Sequence, residues 1–95
     1  MTVKILIKRK VPEGLTPQLV GLLKKMRILT TSQAGYISGE TLRRVDSPNE
    51  SLVISTWQSV DAWRTWVVSA ERKAVQGKID TLLGENTEYE LYESF

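Results

Sequence analysis

The chain has 95 residues, 41% of them hydrophobic and 25% charged, with a formal net charge of +2, a size and balance that fit one globular domain and exclude a second domain or a fibrous or unfolded polypeptide. Cys and His are both absent from the sequence, which removes thiolate nucleophiles, imidazole bases, disulfides and the usual zinc ligands, so any chemistry rests on Asp, Glu, Tyr, Lys, Arg, amides or a reactive substrate. The longest aliphatic run, Ile5 to Ile7, is far short of the ~20 residues that cross a bilayer, and residues 1–10 lack the apolar core of a secretory leader; the expectation is a single cytoplasmic domain over residues 1–95 with no membrane partner and no metal.

Residues 2–11 alternate with a period of two, Val3, Ile5, Ile7 and Arg9 on one face and Lys4, Leu6, Lys8 and Lys10 on the other, which is a strand. Pro12, Glu13 and Gly14 break it. Thr16 followed by Pro17 reads as an N-cap and first helical position, and Leu19, Leu22, Leu23, Met26 and Leu29 recur at helical spacing to predict a helix over 17–31. Gly35 restarts the chain into a second strand over 36–45, and the turn residues 46–50 lead into a third over 51–57. Leu52, Val53 and Ile54 are consecutive apolar residues, the pattern of a strand covered on both faces. Ser59 and Ser69 each fit the cap of a helix, over 60–68 and 70–83, so this region reads as one interrupted helical arm that Gly84 ends. Thr87, Tyr89 and Leu91 then alternate with Glu88, Glu90 and Tyr92 in a last strand over 87–93.

The order βαββαβ is the split βαβ, or ferredoxin-like, pattern: an α+β domain with a four-stranded antiparallel sheet, usual strand order 4-1-3-2. That order sets the last strand beside the first, and charge agrees. Lys4, Lys8, Arg9 and Lys10 stand at one end of the chain and Glu85, Glu88, Glu90 and Glu93 at the other, ready to pair across the ladder. With both helical elements on one side, the other side of the sheet still carries Leu6 and the apolar residues of the third strand, Val53 among them. This predicts a homodimer through the sheet face. An RNA-recognition domain shares the topology but stacks bases on aromatic residues of its central strands. Residues 2–11 contain none, which argues against nucleic acid.

Taken together, Gly35-Tyr36-Ile37-Ser38-Gly39-Glu40-Thr41-Leu42, Ile54-Ser55-Thr56-Trp57-Gln58-Ser59, Trp63, Trp66, Ser69 and Glu88-Tyr89-Glu90-Leu91-Tyr92 resemble the antibiotic-biosynthesis monooxygenase domain along nearly the whole chain. The resemblance implies a dimeric α+β barrel with a substrate cavity between sheet and helices in each protomer. It also implies a cofactor-independent monooxygenase acting on a small aromatic, quinol or polycyclic phenolic substrate. The alternative within the family is a non-catalytic ligand-binding or purely dimerising member. Carried over by position, the haem-degrading branch would need Asn at Arg9 and an imidazole iron ligand at Gln76, and it matches only at Trp66. Without His the haem reading loses its axial ligand. The polyketide-oxidising branch has an Asn one helical turn before the Trp, where this chain has Ala62.

Oxygenation without a cofactor requires a deprotonated, electron-rich substrate held in a dry pocket. The resemblance puts Trp66 in that cavity. Arg9 shares a face with Val3, Ile5 and Ile7, so if that face meets the helices its guanidinium can stabilise a phenolate or enolate. Trp66 and Arg9 are therefore the expected catalytic pair. Trp63, Arg72, Gln76 and Tyr36 are expected to bind substrate, Arg72 and Gln76 being one helical turn apart. Gly35 and Gly39 lack phosphate-loop spacing and read as turn and bulge residues.

Overall fold

Alternation along the first strand fixes which way the sheet faces. In the computed structural model, which describes residues 2–84 and 87–95, β1 (Val3–Lys10) buries Val3, Ile5 and Arg9 and leaves Lys4, Lys8 and Lys10 exposed. The remaining elements are α1 (Thr16–Thr31), β2 (Tyr36–Arg43), β3 (Glu50–Trp57), α2 (Val60–Val67), α3 (Ala70–Leu83) and β4 (Glu88–Glu93). The strands form one sheet in the order β2-β3-β1-β4, with all three neighbouring pairs antiparallel. This is the α+β, ferredoxin-like arrangement that the element order predicts.

Register decides face. Val3, Ile5, Ile7 and Arg9 stand opposite Trp57, Ser55, Val53 and Ser51 of β3, so these eight share the inner face, toward the helices. Val53 is therefore an inner-face residue, contrary to the outward placement expected from the run Leu52-Val53-Ile54. A period of two sends only Leu52 and Ile54 outward, to join Leu6. On β4, Tyr89 faces Ile7 from the inner side and Glu90 stands beside Leu6 on the outer side.

The helices follow from caps and apolar spacing. Ser59 Oγ accepts from the Ala62 amide and Ser69 Oγ from the Arg72 amide, so each serine satisfies an amide that the first turn of a helix leaves unpaired. The arm is thus two helices, separated at Val68 and Ser69. Gly84, at φ 69°, ends α3 in the left-handed conformation that glycine adopts without a Cβ clash. The sequence predicts Thr16 as the cap of α1, but Thr16 is already the first helical residue, and no side chain caps that end. Strand β2 stops at Arg43 rather than continuing to Val45, because Arg44 turns to bond Asp46 and Glu50.

Two apolar clusters hold the layers together. Val3, Ile5, Trp57, Trp63 and Trp66 form one, between the sheet and α2; Val11, Leu19, Val75, Ile79 and Leu83 form the other, between α1 and α3. Arg9 lies on β1 between Ile5 of the first cluster and Val11 of the second. Among the described residues the expected pairing of charged termini reduces to Lys8 Nζ to Glu90 Oε1 at 2.9 Å. Lys4 donates to Thr56 Oγ1 instead, Arg9 turns inward, and Glu85 lies outside the described residues. No helix among the described residues is long and apolar enough to cross a membrane.

Candidate functional site

The sheet and the helices do not close on one another completely. Between the inner face and α1 lies a cavity of about 230 Å³; Leu23 and Met26 of α1, half-buried, line it while also packing against the apolar clusters. Its floor is Ile7, Val53 and Ser55; Trp63 and Trp66 of α2 close one side. The lining is aromatic and aliphatic with a few polar groups, the usual make-up of a small-molecule site.

Trp57 anchors the floor. It is fully buried, and its indole Nε1 donates to Ser55 Oγ at 2.7 Å, which satisfies the one polar atom that a buried indole brings. Tyr36 meets it edge-to-face, ring centroids 5.4 Å apart at 76°. That position depends on Gly39, where a Cβ would stand 2.5 Å from the Tyr36 hydroxyl. Gly39 is thus a clearance residue; the irregularity in the β2–β3 ladder falls between Tyr36 and Ser38. Gly35, at φ +85° and with Ala62 Cβ 2.5 Å from where its own would be, serves both the turn and the close approach of α2.

At the other end the cavity wall is cationic. Arg9 and Arg72 line it, both buried, at 5% and 6% exposure. Arg9 Nη2 and Arg72 Nη2 donate to one acceptor, Gln76 Oε1, at 3.3 and 3.4 Å. Arg72 Nη2 also donates to the Tyr89 hydroxyl, with its guanidinium carbon 5.3 Å from the ring centroid. On its other side Gln76 Nε2 donates to Asp80 Oδ1 at 2.9 Å and to Thr87 Oγ1 at 2.8 Å. Burial pulls the Arg9 guanidinium below its ordinary range; Tyr89 and Asp80 oppose that, and the like charge of Arg72 reinforces it.

Of the residues singled out in the sequence, Trp66, Arg9, Trp63, Arg72 and Tyr36 line this one cavity. Gln76 sits behind the two arginines, with its amide occupied by them, Asp80 and Thr87. Tyr89, whose ring also packs against Trp63 at 5.9 Å, is a member of the cluster that is not among the site residues expected from the sequence. Its signal was the β4 alternation, which puts Tyr89 on the same face as Ile7 and Arg9 once the two strands are paired.

A search of the curated proteins finds no match to the chain. Solved structures share its fold at low identity. A conserved protein from Methanosarcina mazei superposes with a TM-score of 0.92 at 16% identity, covering 100% of this chain and 94% of that one. SnoaB, a cofactor-independent oxygenase from Streptomyces nogalater, superposes with a TM-score of 0.87 at 18% identity, covering 99% and 93%. A protein from Mycobacterium tuberculosis gives 0.86 at 16%, covering 100% and 96%. The profile described as antibiotic biosynthesis monooxygenase matches residues 2–78, most of the sheet and nearly all of the helical layer that enclose the cavity. The chain belongs to the antibiotic biosynthesis monooxygenase family.

Proposed function

We propose that the protein is a cofactor-independent monooxygenase that oxidises a small aromatic or quinol substrate in the cavity between sheet and helices. The observation that carries this reading is the joining of an aromatic slot, Trp63, Trp66 and Tyr36, to a buried guanidinium, Arg9, in one partly open cavity.

In this mechanism the substrate is its own reductant. Loss of a proton from an activated phenol or methylene gives an electron-rich anion, which passes an electron to dioxygen; recombination of the pair forms a hydroperoxide. Loss of water from that hydroperoxide leaves the carbonyl, so one oxygen atom enters the product and the other leaves as water. Arg9 stabilises the anion, since a guanidinium in a dry site acts far more strongly than in solvent. Glu40 borders the cavity but stands opposite Ile54 in the β2–β3 ladder, on the outer sheet face, so the substrate proton passes to solvent at the open mouth. Trp66 orients the ring and excludes water. Oxygen uptake with a panel of quinols and monocyclic and bicyclic phenols, on metal-free protein, tests the reading.

The working unit in this proposal is a homodimer through the outer sheet face. Leu6, Leu52 and Ile54 are only partly buried there and Leu42 is 40% exposed, an apolar stripe on an otherwise charged surface of the kind that marks a protein interface. A second reading, a ligand-binding member without turnover, is favoured by Arg9 and Ala62 standing where two branches of the family are expected to carry Asn.

A further inference from the structure

We propose that the cavity is built for an aromatic carboxylate, with the carboxylate held between Arg9 and Arg72. The inference rests on the reading that an aromatic ligand occupies this cavity, but not on its being turned over.

Two buried guanidiniums share the carbonyl of a neutral amide, and among the described residues neither makes an ion pair. Buried charges are ordinarily paired. The one nearby carboxylate, Asp80, bonds to Gln76 and Thr87 rather than to either arginine, and it is one negative charge against two positive. The Tyr89 hydroxyl that Arg72 reaches is a neutral acceptor. Arg9 Nε is enclosed without a partner, and the donors left for a ligand, among the described residues, are Nη1 of Arg9 and of Arg72, since only their Nη2 atoms make hydrogen bonds. Toward the mouth, α1 adds Lys24 and Arg27, whereas the acid Glu40 of β2 stands with Ile54 on the outer sheet face. The site thus holds an unmatched positive charge and unused planar donors, which a carboxylate accepts two at a time. The rest of the lining is mainly Trp, Tyr, Met and aliphatic side chains, with the hydroxyls of Thr30, Thr41 and Ser55 among them, so the group attached to that carboxylate is an aromatic ring.

A developing phenolate would need only one cation, whereas a permanent carboxylate accounts for the second. The two cases separate by charge on the ligand at neutral pH. Calorimetric titration of the full chain with salicylate and with salicylamide, a neutral near-isostere, at about pH 6 to 7, where the acid is ionised and both phenols are protonated, reads the difference. Salicylate is expected to bind roughly 10- to 100-fold more tightly, the range for losing one or two charge-assisted bonds. In Arg72→Gln that preference falls below about threefold; in Arg72→Lys, which keeps charge but loses the planar fork, it is retained in part. Equal affinity for the two ligands, no salicylate binding at millimolar concentration, or an undiminished preference in a folded Arg72→Gln overturns the proposal. Oxygen uptake separates this from the catalytic reading. Selective acid binding without turnover of any quinol or phenol leaves the anion site standing and removes the oxygenase; turnover of neutral quinols with no preference for the acid does the reverse.

Discussion

Arg9 of β1 and Arg72 of α3, 63 positions apart in sequence, donate to the same oxygen, Oε1 of Gln76, so a single amide ties the sheet to the helical arm at the wall of the cavity. Replacing that amide with an apolar group of similar size, Gln76→Leu, takes the acceptor of Arg9 and one of the two acceptors of Arg72, which keeps Tyr89, and leaves Asp80 only Thr87. The expected cost is about 2 to 4 kcal/mol of folding stability, read as a lower urea midpoint with an unchanged slope. Gln76→Glu restores an acceptor to both arginines and is expected to fall between Gln76→Leu and the native chain.

The outer sheet face predicts oligomeric state. Light scattering coupled to size-exclusion chromatography should give about twice the 10.8 kDa chain mass. Leu6→Glu or Ile54→Glu places an uncompensated charge in the proposed interface and should yield monomers or unfolded chains. Val53→Glu is not an equivalent test, because Val53 lines the cavity; it should impair ligand binding whatever the oligomeric state.

Gly39→Ala probes the floor of the site. The added methyl meets the Tyr36 hydroxyl, and the ring must leave its edge-to-face contact with Trp57. The expected outcome is a folded protein with a modest loss of stability, on the order of 1 kcal/mol, a changed near-ultraviolet circular dichroism spectrum and weaker aromatic ligand binding. Gly39→Ala together with Tyr36→Phe, which removes the hydroxyl, should recover the spectrum in part.

The surface pair Lys8 and Glu90 gives a pH prediction with a definite sign. The hydrogen bond and then the charge of Glu90 raise the Lys8 pKa above its ordinary value. A raised folded-state pKa means that the stabilisation is fully present below the ordinary lysine range and disappears as pH rises through the raised value. Thermal midpoints of the native chain and Lys8→Met should therefore differ at neutral pH and converge at strongly alkaline pH. Added salt should shrink the difference at neutral pH, because in the single chain the pair is about half exposed.

What the sequence made legible follows local rules. Period-two alternation turned Arg9 inward, Ser59 and Ser69 announced their helices, and opposite charges on the first and last strands pointed to the strand order. Where several elements meet, local rules run out. Arg72 and Tyr89 come together only after β4 pairs with β1, so nothing near either residue marks the contact. Gln76 lies one turn from Arg72 on the helix, and that spacing alone does not distinguish a cavity wall from a brace behind it. The face of Val53 was obscured because three consecutive apolar residues hide the alternation that register later imposes.

Steady-state oxygen consumption by metal-free native protein and by Arg9→Gln, with thermal midpoints taken on the same samples, tests the central claim most directly. The account predicts oxygen uptake matched by formation of a carbonyl product in the native chain. In a folded Arg9→Gln, kcat/KM should fall about 30- to 1000-fold, the cost of losing about 2 to 4 kcal/mol of anion stabilisation. A folded Arg9→Gln that turns over substrate at the native rate, or a native chain that consumes no oxygen with any quinol or phenol while binding them in the cavity, would contradict it.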